Sequence, residues 1–221
     1  VSLVEVNLAS RLADGTIRAY QQALTLHLMP INLIGVAISN AAFPQLTERL
    51  GEGRLDLFQK DLRSLLRIIF WMALPTSVVI FFTRGYIVHF IRNTGDQLMA
   101  GILGCLVVAI LFRTIYHMAA RAFYARQDTK TPLYISVFSI SLNIALAIIL
   151  TMNLNMGAYG LAWAQSTVAV FEVVILLLVM SKQMPRMFNR AFVTAIGKMI
   201  AASAVAGVVC YIGVSVMPFR D

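Results

Sequence analysis

Apolar runs long enough to cross a hydrocarbon core of about 30 Å, roughly 20 residues of helix, recur along this chain between short polar stretches. The pattern predicts a partial helix over about Val1–Ala13 and six spans over about Ile17–Phe43, Leu65–Thr83, Gln97–Ala125, Pro132–Met152, Gly157–Ser181 and Phe192–Met217. The stretches between them carry turn residues: Asp14-Gly15, Gly51 and Gly53, Asn93 to Asp96, Asp128 to Pro132, and Asn155 to Gly157. The expected fold is therefore an all-α integral membrane protein, a polytopic helix bundle with no separate soluble domain. The longest connection, about Gln45–Ser64, sets Leu55, Phe58, Leu62 and Leu65 among charged residues at helical spacing. It reads as an amphipathic helix on the inner membrane surface or as the helical start of the third span.

Composition agrees: 59% of the 221 residues are hydrophobic and 13% charged. The 18 Lys and Arg against 10 Asp and Glu give a net charge of +8, but the basic excess falls between apolar blocks. That distribution excludes a nucleic-acid module and a disordered chain. Cys105 and Cys210 lie inside apolar runs and read as small hydrophobes. Without an initiator Met or a signal peptide, the chain reads as a fragment of a longer protein. Arg49, Arg54, Lys60, Arg63, Arg67, Arg121, Arg126, Lys130, Lys182, Arg186, Arg190 and Lys198 all fall on one side of the membrane. The other side holds Arg11, Arg18, Arg84, Arg92 and Arg220, and Arg113 is left within a span. The richer side is assigned to the cytoplasm.

Polar groups inside spans are costly and point to a cavity or a partner helix. Arg18, Gln22, Thr25, Asn32 and Asn40 share one stripe of the second segment, which Pro30 interrupts. The stripe reads as a water-facing cavity wall or as interhelical hydrogen bonding. Arg113, His117 and Arg121 follow at i, i+4 spacing in the fourth segment, a basic stripe suited to an anionic head group. Arg121 alone reads as snorkelling to the interface. Glu172 is expected to pair with His117 or Lys198, with a proton relay as the alternative. His27 points away from the polar stripe of its helix, and His89 is expected in an outer loop. Glu5, Asn143, Ser166 and Thr167 lie about 13 to 15 Å from the outer ends of their helices, a shared depth that would suit Na⁺ or another monovalent cation. Scattered polar packing is the other reading. Phosphate loops, paired metal motifs and nucleophilic triads are absent from the sequence, so an enzyme is not expected.

The stretch Ala119-Ala120-Arg121-Ala122-Phe123-Tyr124-Ala125-Arg126-Gln127-Asp128-Thr129-Lys130-Thr131-Pro132 resembles the helix end and loop of the MviN/MurJ lipid II flippases, in the multidrug/oligosaccharidyl-lipid/polysaccharide exporter superfamily. Pro30 to Ile38, Phe43 to Leu46 and Gly157 to Ala162 are similar to further family segments. The resemblance implies that residues 1–181 belong to the C-terminal lobe of a two-lobe flippase, followed by a cytoplasmic loop and one further helix over 182–221, with the N-terminal lobe absent. It implies an inner-membrane transporter, working by alternating access, for an undecaprenyl-diphosphate-linked cell-wall precursor. Arg18, Gln22, Thr25, Asn32, Arg113 and His117 would line the substrate cavity; Glu5 and Asn143, with Ser166 and Thr167, would hold a coupling cation. Membrane lipids are the other expected partners, and oligomeric state is left open. One departure stands out. Where the family carries a cavity arginine five residues before Pro30, this chain has Thr25, so Arg18 takes over the charge, the cargo differs, or transport is lost. The alternatives are a flippase for another polyprenyl-diphosphate oligosaccharide and a non-transporting scaffold for cell-wall enzymes.

Overall fold

A computed structural model of the chain describes residues 15–92, 96–184, 187 and 189–216. The expected partial helix Val1–Ala13 lies outside the described residues. Among the described residues every regular element is helical, and six helices are long and apolar enough to cross a membrane. The first crossing is α1 (Thr16–Pro30), a π-helical turn (Ile31–Val36) and α2 (Ala37–Gly51) in one continuous rod. Then come α3 (Leu55–Arg92), α4 (Gln97–Ala125), α5 (Lys130–Ile148) with a second π turn (Ile149–Asn153), α6 (Ala158–Gln183) and α7 (Arg190–Val216).

The fourth segment matches its expected bounds, whereas the third is much longer than the apolar run alone suggests. At 38 residues, α3 is about 57 Å long, nearly twice a hydrocarbon core. It absorbs the stretch read as a membrane-surface helix. Phe58 and Leu62 are fully buried against neighbouring helices while Leu55 is exposed, so this amphipathic face is turned toward protein. His89 is likewise helical and not in a loop. No strong breaker interrupts α3 apart from Pro75, and a single proline is tolerated where packed neighbours support the helix.

The second helix of the sequence reading is interrupted for a definite reason. Pro30 has no N–H to donate, and directly after it the backbone widens into the π turn. Gly35 in that turn lies so close to α4 that a Cβ would stand 3.0 Å from the Thr114 Cα. A matching approach occurs at Gly160 of α6, where a Cβ would stand 2.8 Å from the Leu150 carbonyl carbon. Lipid supplies no hydrophobic drive between helices, so small residues that let backbones touch do that work. Ala109, Ala119, Ala120 and Ala122 on α4 and Ala162, Ala164 and Ala169 on α6 are buried to the same end.

Helix α4 is the centre, packed by α1, α2, α3 and α6, while α5 leans on α6 and α7 on α3. Large side chains fill one core, toward the end richer in basic residues, around Leu46, Phe58, Leu66, Met118, Phe123 and Met180, and a second core around Tyr20, Met99, Ile102, Leu106 and Leu161. Polar clamps hold the helices at the basic end. Asp61 accepts from Gln45 Nε2 at 3.0 Å and Arg49 Nε at 3.2 Å, joining α3 to α2. Arg121, expected to snorkel, instead donates to Asn40 Oδ1 at 2.6 Å and lies over the Phe43 ring, and Arg126 donates to Gln183. Between α4 and α5, Asp128 accepts the Thr131 N–H at 3.1 Å and the Thr131 hydroxyl at 2.7 Å, bonds that hold its carboxyl below the usual aspartate range.

Two stability predictions follow from these contacts. Gly160→Ala should cost about 1–3 kcal/mol by forcing two backbones apart, whereas Gly197→Ala, where a Cβ meets nothing within 4 Å, should be neutral or mildly stabilising; equal unfolding shifts for both in detergent would contradict the packing argument. Asp128→Ala should cost about 1 kcal/mol at neutral pH. Because the folded-state pKa is depressed, the ionised carboxylate contributes above the ordinary aspartate range and its contribution is lost as pH falls through the folded value. The gap between wild type and variant should therefore narrow in acid, as thermal unfolding at pH 7 and at low pH would register.

Candidate functional site

Helices α1 and α5 flank a cleft of about 440 Å³ whose floor is formed by α4 and α6. The floor is polar because two helices present like-facing residues to it. On α4, Arg113 and Tyr116 are three apart; on α6, Gln165 and Glu172 are seven apart, two turns along one face. Arg113 Nη2 donates to Gln165 Oε1 at 2.6 Å. Lower in the cleft, the Tyr116 and Ser136 hydroxyls lie 2.9 Å apart, and Ser136 donates to Glu172 Oε1 at 3.3 Å. His27 closes the α1 side, its Nδ1 within hydrogen-bond reach of the Leu24 carbonyl.

Unused hydrogen-bonding capacity distinguishes this cleft. Asn143 of α5 is 2% exposed, yet neither its amide nitrogen nor its amide oxygen has a partner. The buried Ser139 hydroxyl and Arg113 Nε are in the same condition. A buried polar group left without a partner costs about 1–3 kcal/mol, so several at one place mark a surface made for polar company. Arg113 stands about 18 Å along α4 from Ala125, too deep to reach the interface at that end. Cation and carboxylate thus face a common, partly open space.

The residues expected from sequence divide between this cleft and three other places. Arg18, Gln22, Thr25 and Asn32 lie on the exposed face of α1 and its π turn, and the Thr25 hydroxyl turns back to the Gln21 carbonyl at 3.0 Å. Arg113 is in the cleft; His117, one turn further on, is half-buried and does not line it. Of the four residues grouped by depth, Asn143 alone opens on the cleft. Ser166 donates to the Cys105 carbonyl at 2.6 Å and, with exposed Thr167, lines a separate apolar pocket. Glu5 lies outside the described residues. Equal depth therefore does not bring Asn143 together with the Ser166–Thr167 pair, which occupies another azimuth of α6. Nor does Glu172 pair with His117 or Lys198: its partner is Ser136, and Lys198 is exposed on α7.

Gln165, Tyr116, Ser136, Ser139 and His27 were not singled out as cavity residues from sequence. A signal was present for two of them, since Gln165 repeats the phase of Glu172 and Tyr116 that of Arg113. The serines look like ordinary membrane-helix residues. His27 is off the exposed stripe of α1, as expected, and for that reason faces the cleft. Among the described residues no group of three or more His, Cys, Asp and Glu could hold a metal ion.

A family model described as lipid II flippase MurJ matches residues 1–219. The chain is 28% identical over 214 residues to a probable lipid II flippase MurJ of Thermotoga maritima, covering 94% of this chain and 42% of that protein. It is 25% identical over 183 residues to the corresponding Borreliella burgdorferi protein, covering 80% of this chain and 36% of the relative. To the lipid II flippase MurJ of Burkholderia cenocepacia it is 26% identical over 141 residues, 61% of this chain and 27% of the relative. The chain thus spans less than half the length of these relatives. Among solved structures, a lipid II flippase MurJ in an inward closed conformation superposes with a TM-score of 0.84 at 23% identity, covering 100% of this chain and 45% of that one, which shows a shared fold. With its six membrane-spanning helices and this match over nearly its full length, the chain belongs to the MurJ lipid II flippase family of the bacterial inner membrane.

Proposed function

We propose that this chain is part of a flippase that moves an undecaprenyl-diphosphate-linked peptidoglycan precursor, lipid II, from the inner to the outer leaflet by alternating access. The observation that carries the reading is Arg113: a cation deep in the membrane, hydrogen-bonded to a neutral amide, with its Nε unpartnered in a polar cleft. A fixed charge at that depth is costly unless an anion or water meets it, and a diphosphate meets it with charge-assisted hydrogen bonds. Beside it, the exposed polar face of α1 (Arg18, Gln22, Thr25 and Asn32) offers a hydrated path for the head group, while the polyprenyl tail stays in lipid. The chemistry is transport, with no covalent change to the cargo. A monovalent cation such as Na⁺ would bias the inward and outward states; Asn143, with both amide atoms free, is the cleft residue best able to contribute to such a site.

Thr25 favours a second reading. It stands where the family resemblance calls for a cavity arginine, and its hydroxyl is engaged by its own helix, so the described part of α1 meets a diphosphate with Arg18 alone. A different polyprenyl-diphosphate oligosaccharide is then the cargo, and rescue of cells depleted of their peptidoglycan flippase would argue against it.

In the full-length protein, Arg113→Ala should lower transport at least about tenfold, the cost of one charge-assisted hydrogen bond, with Arg18→Ala acting in the same direction. Growth of cells that depend on the variants, together with precursor accumulation in the inner leaflet, is the measurement. Normal growth and normal precursor levels with both substitutions would remove the head-group role.

A further inference from the structure

A second groove, away from the cleft, lies where α3, α6 and α7 meet. It measures about 320 Å³ and is apolar, lined by Leu66, Phe70, Leu177, Phe192, Ile196 and Ile200, with Gly197 leaving part of its wall open. From Phe192 to Ile200 it runs about 12 Å along α7. The start of α7 is fixed by the Phe192 N–H, which donates to Asn189 Oδ1 at 2.9 Å, and by Arg63 of α3, whose Nε donates to the Met187 carbonyl at 2.9 Å.

At the mouth stands Arg67, the residue after Leu66. Its guanidinium lies 5.8 Å from the Phe192 ring centroid, and its Nε is buried without a partner. Arg67 is the last of the basic run Arg54, Lys60, Arg63 and Arg67; α3 then has no charged residue until Arg84. It therefore marks the level at which cytoplasm gives way to hydrocarbon, the level of lipid phosphates. The nearby carboxylates are committed elsewhere. Asp61 is held by Gln45 and Arg49, Glu172 by Ser136, and α7 has no acidic residue. Among the described residues no carboxylate is hydrogen-bonded or ion-paired to Arg67.

We propose that this groove binds one anionic phospholipid of the inner leaflet, its phosphate on Arg67 and one acyl chain along Phe192–Ile200. Snorkelling alone would let Arg67 meet any phosphate, zwitterionic lipids included. Arg63 one turn away and Arg190 and Lys198 on α7 raise the local positive potential, which selects for net negative head groups. The volume suits part of one acyl chain; the basic mouth is what favours a phospholipid, and competition with undecaprenyl diphosphate separates it from the transported cargo. The proposal does not depend on Arg113 or on the identity of that cargo.

The test uses the purified full-length protein in phosphatidylcholine vesicles carrying spin-labelled phosphatidylglycerol or spin-labelled phosphatidylcholine, with the motionally restricted fraction as the readout. Wild type should prefer phosphatidylglycerol by about fivefold, the effect of roughly one basic residue at an anionic surface. Arg67→Gln should clearly diminish the preference, with Arg63, Arg190 and Lys198 leaving a remainder of it. Gly197→Leu, which fills the open part of the groove where a Cβ meets nothing within 4 Å, should reduce the restricted fraction of both lipids while leaving the unfolding temperature unchanged. An undiminished preference in folded Arg67→Gln, or, should that variant not fold, an undiminished restricted fraction in Gly197→Leu, overturns the proposal. So does displacement of the labelled lipid by undecaprenyl diphosphate, which would assign the groove to cargo.

Discussion

Everything else in this bundle depends on how closely its neighbours approach α4. In a bilayer, helices gain little by hiding apolar surface from lipid, so cohesion comes from dispersion contacts at short range and from the few polar bonds between helices. Helix α4 meets this requirement with small residues on its buried faces and with glycines opposite them. Gly35 rests on Thr114, Gly104 of α4 itself lies against the Arg84 side chain, and Gly101 faces the Tyr159 ring. Three neighbours are thereby brought close from three directions, and the larger side chains above and below fill the space that remains.

The cleft is a by-product of the same arrangement. Helices α4 and α6 pack so tightly that their remaining faces must look outward, and α1 and α5 do not close over them. Residues that would be intolerable against lipid, Arg113 and Glu172, can be placed on that floor because amide and hydroxyl groups from three helices surround them. The clamps at the basic end add little energy singly, since exposed ion pairs are weak. Their value is positional: Asp61 ties α3 to α2 across their turn, while Arg121 and Arg126 pin α4 to α2 and to α6 at one level.

Much of this was legible in the sequence. Segment positions follow from length and apolarity, and Gln97–Ala125 from its flanking turn residues in full. The family followed from the run Ala119–Pro132. Contact between helices was not legible. Depth along a helix is one coordinate and azimuth another, and sequence supplies the second only relative to the helix's own axis. Asn143 and Ser166 share a level and face different spaces; Glu172 was expected to pair with His117 or Lys198 and instead meets Ser136. For Leu55 to Ser64 the sequence left two readings, a membrane-surface helix or the helical start of the third span, and the second holds, because α2 and α4 offer its apolar face a surface.

Asn40 illustrates what the π turn does. On an uninterrupted α-helix it falls in line with Arg18 and Thr25, and it was read as part of their stripe. In the structure it reaches across to Arg121. A π turn holds one surplus residue, and each residue of helix is worth about 100° of rotation, so α2 is dialled round with respect to α1 although the chain between them never breaks. The rod therefore carries a phase as well as a sequence. Removing one residue between Ile31 and Val36 would leave every side chain of α2 chemically intact and give nearly all of them new neighbours.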